Sequence, residues 1–144
     1  MPVEVWTARI STRDPDAFNV TRKSGDPVFA PSWALLRTAL DIRKSGRVQS
    51  EEDWKNYARS YLSEMTASHG RDRPIWDALL RRSRVVLTCY CTNPERCHRK
   101  LLGLVLERLG ASYKGELAPP KPTPPEDQGQ RDIFKLAMAL GEDD

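Results

Sequence analysis

Three cysteines, one histidine and two arginines fall within a single short segment of the chain. Residues 89 to 99 read Cys-Tyr-Cys-Thr-Asn-Pro-Glu-Arg-Cys-His-Arg. A thiolate is a nucleophile and a metal ligand, an imidazole transfers protons near neutral pH, and a guanidinium pairs with anions. The segment is therefore predicted to carry the chemistry of this protein. Its candidate catalytic residues are Cys91, Cys97 and His98.

A strand is predicted to lead into this segment, and a helix to follow it. Val85 to Leu87 is a continuous apolar run, typical of a strand buried on both faces of a parallel sheet. Asn93 is a favoured N-cap and Pro94 suits the first helical position, so we expect the helix to begin there. Cys97 would then lie about one turn inside the helix, where the helix dipole lowers the pKa of its thiol.

The start of this helix also predicts an anion site. Free backbone N–H groups at a helix N-terminus favour negative charge, and open α/β sheets bind ligands at the carboxyl ends of their strands. Arg96 and Arg99 add guanidinium groups that pair with phosphate or carboxylate. Together with Asn93 they are candidate ligand-binding residues for a small anionic or nucleotide-like molecule.

Cys89 and His98 each allow a structural role as well. Cys89 lies inside the apolar strand and is interpreted as a packing residue, because small buried thiols are common in cores. His98 is a proton shuttle beside a cysteine, a donor to an anion, or a structural residue bonded to a backbone carbonyl. Cys89 and Cys91 should point to the same face of the strand, although a disulfide between them would be strained.

Three cysteines and one histidine also make up the ligand set of a tetrahedral zinc site. Zinc knuckles usually place their ligands in short pairs on separate turns, whereas Cys97 and His98 are consecutive. On a helix, consecutive side chains point about 100° apart. The spacing therefore argues against zinc, and neither a metal nor another cofactor is predicted.

The N-terminal part of the chain predicts a strand followed by a long loop. Val3 to Ile10 alternates as a strand does, and residues 11 to 31 are rich in Asp, Pro, Gly and Ser. A loop of that length in a compact domain usually has a function. Its polar residues Thr21 and Lys23 are therefore further candidate ligand-binding residues, placed to close over the site.

Three helices are predicted between this loop and the buried strand. Their expected capping residues are Ser32, Ser50 and Asp72. The first two helices are expected to end at Gly46 and Gly70. The second combines a capping box, Ser50 with Asp53, with an apolar stripe that is interpreted as a buried face: Trp54, Tyr57, Ala58, Tyr61, Leu62 and Met65.

These elements predict the fold class α/β. Gly110 is expected to end the helix after the cysteine segment, and Ala111 to Leu117 supplies a last strand. Residues 1–117 are therefore predicted to form one small domain, with a largely parallel sheet flanked by helices. Residues 118–130 form a Pro-rich linker, and residues 131–144 a short amphipathic helix with an acidic end.

Composition limits the partners and the compartment. The 144 residues include 23 basic and 20 acidic ones for a net charge of +3, so charge alone does not indicate nucleic-acid binding. The cysteines lie too close together to staple a secreted fold, and no long apolar run or signal peptide is visible. We expect a cytoplasmic protein with reduced thiols and no membrane span.

Two further functions stay open. One is a nucleic-acid-associated module that uses residues 96 to 100 and an arginine-rich face: Arg71, Arg73, Arg81, Arg82 and Arg84. The other is a partner-binding module in which the linker and terminal helix dock elsewhere.

Several motifs together resemble domain of unknown function family 488. The resemblance covers about Val5 to Leu117 and is carried by the Cys-Tyr-Cys and Cys-His-Arg motifs, Leu109-Gly110-Ala111, the segments 19 to 25 and 29 to 33, and the Trp54 to Tyr61 helix. It implies a small cytoplasmic α/β domain whose activity is not established. Asn19 departs from the family pattern, in which Asp is frequent at this position.

The residues beyond Ala118 are expected to be dispensable for folding. The prolines of the linker cannot donate hydrogen bonds to a sheet, and the predicted domain closes with the strand near Leu117. A chain truncated after Ala118 should therefore keep a single cooperative thermal transition in circular dichroism. Loss of that transition would show that the last helix belongs to the core.

Overall fold

A four-stranded parallel sheet forms the centre of the structure. The computed structural model describes residues 2–91 and 93–117, and the predicted linker and terminal helix lie outside the described residues. The strands in this part are β1 (Glu4–Arg9), β2 (Ala17–Asn19), β3 (Arg84–Cys89) and β4 (Ser112–Glu116). Their order is β2-β3-β1-β4, and every neighbouring pair is parallel. The predicted α/β class with a parallel sheet is confirmed.

Helices supply the connections that parallel strands require. The helices of the described ranges are α1 (Trp33–Lys44), α2 (Glu51–Arg71), α3 (Arg73–Leu80) and α4 (His98–Arg108). The first three connect β2 to β3, and α4 connects β3 to β4. None of them is both long enough and apolar enough to span a membrane.

β3 is the central and most buried strand. It pairs with β1 on one side and β2 on the other, and Val85, Val86 and Leu87 are all fully buried. Each such side chain contributes roughly 1.5–3 kcal/mol to the stability of the fold. Covering both faces of the strand explains why the sequence shows a continuous apolar run there, as predicted.

The segment from residue 11 to 31 is not one uninterrupted loop as predicted, because it contains β2. Ala17–Asn19 pairs with Val86 to Thr88 of β3. The residues just before β2 are bound to the start of β3, because the guanidinium of Arg84 forms ion pairs with the carboxylates of Asp14 at 2.8 Å and Asp16 at 2.9 Å. A strand of three residues is too short to show an alternating pattern in the sequence, so this pairing could not be predicted. Because β2 pairs with β3, the residues after β2 lie at the carboxyl edge of the sheet, beside the end of β3.

The capping box of α2 is confirmed. The Ser50 hydroxyl accepts a hydrogen bond from the Asp53 backbone N–H at 3.0 Å, and the Asp53 carboxylate accepts one from the Ser50 N–H at 3.0 Å. The helix continues past Gly70 to Arg71. Asp72 precedes α3 as predicted but does not cap it with its side chain, because its backbone (φ −116°, ψ 39°) lacks the extended geometry of an N-cap.

Close packing of α4 on β4 explains a glycine inside the helix. A Cβ atom at Gly103 would lie 2.6 Å from a ring carbon of Tyr113. We expect Gly103→Ala to lower the free energy of unfolding by about 1–3 kcal/mol, because the ring must move out of its position. Gly70→Ala on α2 is the matched control, since nothing lies within 4 Å of its added Cβ.

Alanine has the higher helix propensity, so the control should be neutral or stabilising by up to about 1 kcal/mol. Urea unfolding of both variants measures the difference. Equal effects of the two substitutions would contradict the close packing of α4 on β4.

Candidate functional site

The turn between β3 and α4 differs from the predicted continuous helix. Pro94–Arg96 forms a single 3₁₀ turn, in which the Asn93 side chain accepts a hydrogen bond from the Glu95 N–H at 3.0 Å. Cys97 is then extended (φ −134°, ψ 148°), and α4 begins only at His98. The prediction that Cys97 lies one turn inside the helix is therefore wrong. Poor hydrogen-bond geometry keeps 3₁₀ segments short, and here the chain breaks before starting a new helix.

This break brings consecutive side chains to one centre. The sulfur atoms of Cys89, Cys91 and Cys97 all lie within 4.8 Å of one another, with those of Cys89 and Cys91 3.9 Å apart. His98 Nδ1 lies 3.6 Å from the Cys89 sulfur and 4.0 Å from the Cys97 sulfur. The structure thus brings together the three catalytic candidates and adds Cys89, which was interpreted as a packing residue.

A backbone carbonyl fixes the orientation of His98. Its Nε2–H donates to the carbonyl oxygen of Val20, the residue after β2, at 2.8 Å. Nδ1 is thereby turned toward the thiols, as an acceptor in the neutral ring or a donor in the imidazolium. The ring also packs against Tyr61, with centroids 5.5 Å apart. His98 therefore combines the structural contact and the placement for chemistry that the sequence left as alternatives.

The thiols and the imidazole shift one another's pKa values. Hydrogen bonds with the neighbouring thiols lower the pKa of Cys89, although its burial acts in the opposite direction. The hydrogen bond with Cys89 raises the pKa of Cys91. Burial lowers the pKa of His98, but the charge of Cys97 and the contact with Cys89 outweigh it and raise the value to about 10. The site therefore stabilises negative sulfur beside a positive ring.

Arg99 is a fully buried cation with 0% exposure. Its guanidinium forms a two-pronged pair with Glu116 of β4, through Nε at 3.1 Å and Nη2 at 2.9 Å. Nη1 donates to the Cys91 carbonyl at 2.9 Å and to the Cys97 sulfur at 3.3 Å. Burial lowers the pKa of Arg99, whereas Glu116 and Cys97 raise it and keep the group charged. Most of the donors predicted to bind an anion are thus engaged within the protein.

The other predicted ligand-binding residues lie around the cluster without facing the sulfurs. Arg96 donates to the Gln49 carbonyl at 3.2 Å and pairs with Glu51 at 2.6 Å, which fastens the turn to the start of α2. The Thr21 hydroxyl is buried and donates to the Asn19 side chain at 2.7 Å. Lys23 is exposed. The loop around Thr21 is held by hydrogen bonds within itself, such as that between Thr21 and Asn19, and by the contact of Ser24 with Tyr90 at 3.0 Å.

Two further side chains belong to the surroundings of the site and are not among the residues that the sequence predicts there. Glu116 was placed only in the last strand, and its pairing with Arg99 joins residues 17 positions apart. Tyr57 belongs to the α2 stripe that was interpreted as a buried face. Its ring is half-buried, and its hydroxyl, unlike that of Tyr61, is not hydrogen-bonded to any residue of the described ranges. Burial and the negative charge of Cys97 and Cys91 raise the pKa of Tyr57 well above 10.

The fold and the site together define a class: a parallel α/β domain whose strand-to-helix turn gathers cysteine, histidine and arginine. Residues 3–110 match the family model of the active DUF488-N3 subclade, and the chain therefore belongs to domain of unknown function family 488. The matched residues include the whole of the cysteine, histidine and arginine turn, whereas Glu116 lies beyond them. No curated protein and no solved structure matches the chain.

Replacing Arg99 tests whether its role is structural. Lysine keeps the charge but loses the planar fork that binds Glu116, Cys91 and Cys97. We expect Arg99→Lys to lower the free energy of unfolding by about 1–3 kcal/mol, because a buried acceptor loses its donor. Arg73→Lys is the control, because Arg73 is exposed and, among the residues that the structure describes, forms an ion pair with Asp77 alone, along α3.

The control should change stability by less than about 0.5 kcal/mol. Guanidinium unfolding of both variants provides the comparison. Unchanged stability in Arg99→Lys would show that its contacts are dispensable and would favour the ligand-binding role predicted from the sequence.

Proposed function

We propose that this protein holds one zinc ion through Cys89, Cys91, Cys97 and His98 at the carboxyl edge of its sheet. The observation that carries this proposal is the convergence of three sulfur atoms, all within 4.8 Å of one another, with His98 Nδ1 3.6 Å from the Cys89 sulfur and 4.0 Å from the Cys97 sulfur. Soft thiolate ligands select zinc, Cu(I) and iron-sulfur clusters, and a mixed sulfur and imidazole set favours zinc.

The distances agree with a tetrahedral centre. Zn–S bonds of about 2.3 Å and Zn–N bonds of about 2.0 Å imply sulfur atoms about 3.8 Å apart and nitrogen-sulfur distances of about 3.5 Å. The corresponding distances are 3.9 Å between Cys89 and Cys91, and 3.6 Å and 4.0 Å from His98 Nδ1 to Cys89 and Cys97. The other sulfur–sulfur distances in the cluster are no longer than 4.8 Å.

The spacing of Cys97 and His98 argues against zinc only if Cys97 is helical. Because Cys97 is extended and His98 is the first residue of α4, their side chains meet at one point despite being consecutive. The cluster also has the outer contacts that metal ligands require. The Val20 carbonyl orients His98, as second-shell acceptors commonly do for ligating histidines.

Charge is the second support for the proposal. Three thiolates and one divalent cation leave a single net negative charge in a buried site. The buried guanidinium of Arg99 faces that charge and donates directly to the Cys97 sulfur. Such N–H donors stabilise negative charge held in a low-dielectric environment.

The metal-free alternative is a thiol-based pocket for a small anion. Its support is the half-buried thiol of Cys91 and the positive groups of His98 and Arg99. Against it stands the pairing of Arg99 and Arg96 with carboxylates, which leaves few donors for an incoming anion. Zinc accounts for all four converging side chains, and the anion pocket accounts for fewer of them.

The nucleic-acid alternative is weaker. Most of its proposed cations are paired with carboxylates of the chain itself: Arg71, Arg73, Arg84, Arg96, Arg99 and Lys100. In addition, Arg82 lies over the ring of Phe18, 5.1 Å from its centroid. Internal pairing lowers the positive potential available to phosphates.

Metal analysis of the purified full-length chain tests the zinc site. Elemental analysis after dialysis should find about one zinc per chain, and cobalt replacement should give thiolate-to-cobalt charge-transfer absorption typical of a tetrahedral sulfur site. His98→Asn should lower zinc affinity more than about tenfold in competition with a chromophoric chelator. The second histidine, His69, packs against Trp76 away from the cluster, so His69→Asn should bind zinc normally.

His98→Cys separates ligation from folding. It removes the contact with Val20, as His98→Asn does, but it supplies a fourth thiolate to the metal. We expect it to recover zinc binding that the asparagine variant loses. A protein without bound metal, or with iron or copper at the site, would overturn the proposed zinc centre, and a metal-free protein would favour the thiol pocket.

A further inference from the structure

Cys91 differs from the other two cysteines in access. Cys89 and Cys97 are 4% and 1% exposed, whereas Cys91, two residues beyond the end of β3, is half-buried. A reagent from solution therefore meets the Cys91 side of the cluster first. Reactivity of a cysteine requires both thiolate character and access, and a metal supplies the first.

The hydrogen bonds to sulfur also differ among the cysteines. The Cys97 sulfur accepts an N–H bond from Arg99 at 3.3 Å, which withdraws electron density from it. Arg99 also contacts Cys91, but through its backbone carbonyl. Among the described residues, no N–H group donates to the Cys91 sulfur, whose neighbour is the sulfur of Cys89 at 3.9 Å. Cys91 is thus the thiolate of the centre that combines access from solution with the absence of an N–H donor to its sulfur among the described residues.

Helix α2 carries a second candidate group of the site, the hydroxyl of Tyr57. Helix α2 covers the turn, since Glu51 binds Arg96 and Tyr61 packs on His98. Tyr57 lies one turn before Tyr61 on α2, and its hydroxyl makes no hydrogen bond with any described residue. The ring is half-buried, and a phenol hydroxyl is a hydrogen-bond donor that a ligand can use. Because Tyr57 lies on α2 between Glu51 and Tyr61, which both contact the turn, its hydroxyl is a candidate donor to a hydrogen-bond acceptor of a ligand.

We infer that the zinc-bound sulfur of Cys91 is the reactive group of this protein, and that it takes soft carbon electrophiles whose hydrogen-bond acceptor is received by Tyr57. This inference rests on the proposed zinc site. In the reaction, a sulfur lone pair of Cys91 forms an S–C bond, and the leaving group departs with the electron pair of its bond to carbon. No proton is transferred, because the metal already holds the sulfur as a thiolate.

Iodoacetamide is the probe for this reaction, since its amide carbonyl accepts a hydrogen bond and its iodide leaves. The zinc-loaded full-length chain is treated with limiting reagent, and the modified cysteines are located by peptide mass spectrometry. We expect a carbamidomethyl group on Cys91 before any on Cys89 or Cys97. Labelling of all three together, or of none, would overturn the inference, the second result identifying a purely structural metal site.

Tyr57→Phe tests the donor. Loss of one neutral hydrogen bond should slow labelling of Cys91 by iodoacetamide roughly three- to tenfold. The rate with methyl iodide, which has no carbonyl acceptor, should not change. Tyr90→Phe is the matched control, because the hydroxyl of Tyr90 is exposed and contacts Ser24 at 3.0 Å, and its rates should equal those of the unmodified chain.

An equal effect of Tyr57→Phe on both reagents, or no effect on either, would show that Tyr57 does not receive the acceptor. Zinc content is measured on every sample. A chain that lacks zinc contradicts the proposed function itself, whereas a chain that holds zinc without selective labelling contradicts only the role of Cys91.

Discussion

The buried guanidinium of Arg99 is the constraint on which the arrangement of the site depends. A charge with no exposure to water must be paired and hydrogen-bonded, and here its partners come from separate parts of the chain. Glu116 approaches from β4, and Cys91 and Cys97 approach from the two ends of the turn. The hydrogen bonds of this one cation therefore join β4 to the turn and fix the path of the backbone around the sulfur atoms.

The break at Cys97 follows from the same demand. Cys97, His98 and Arg99 are consecutive and all almost fully buried, so they must reach three different partners in the interior. A continuous helix would turn at least one of them toward solvent. An extended residue between a 3₁₀ turn and α4 allows all three to point inward, toward the sulfurs, the Val20 carbonyl and Glu116 respectively. Consecutive Cys97 and His98 would point in different directions within a helix, but they can bind one metal ion where Cys97 is extended and His98 begins the helix.

Most elements of the fold could be predicted from the sequence, because the signals that define them depend on residues close together along the chain. The capping box of Ser50 and Asp53, the apolar run of β3 and the stop at Gly110 (φ +108°) each act within a few residues. The strand alternation that placed Cys89 and Cys91 on one face is equally local. By contrast, β2 exists only because β3 and Arg84 hold it. No window of sequence contains those partners.

The candidate site divides along the same line. Residue types and spacing identified the cysteines, His98 and Arg99, but their partners depend on tertiary contacts that bring α2, β2 and β4 to one edge of the sheet. Arg99 illustrates the difference. A guanidinium without partners would favour an anion site, whereas Arg99 donates to Glu116, Cys91 and Cys97 and so acts as a structural cation. The extended backbone of Cys97 is what makes zinc the better hypothesis. Ligand geometry in a buried cluster depends on a few dihedral angles, and residue identity does not specify them.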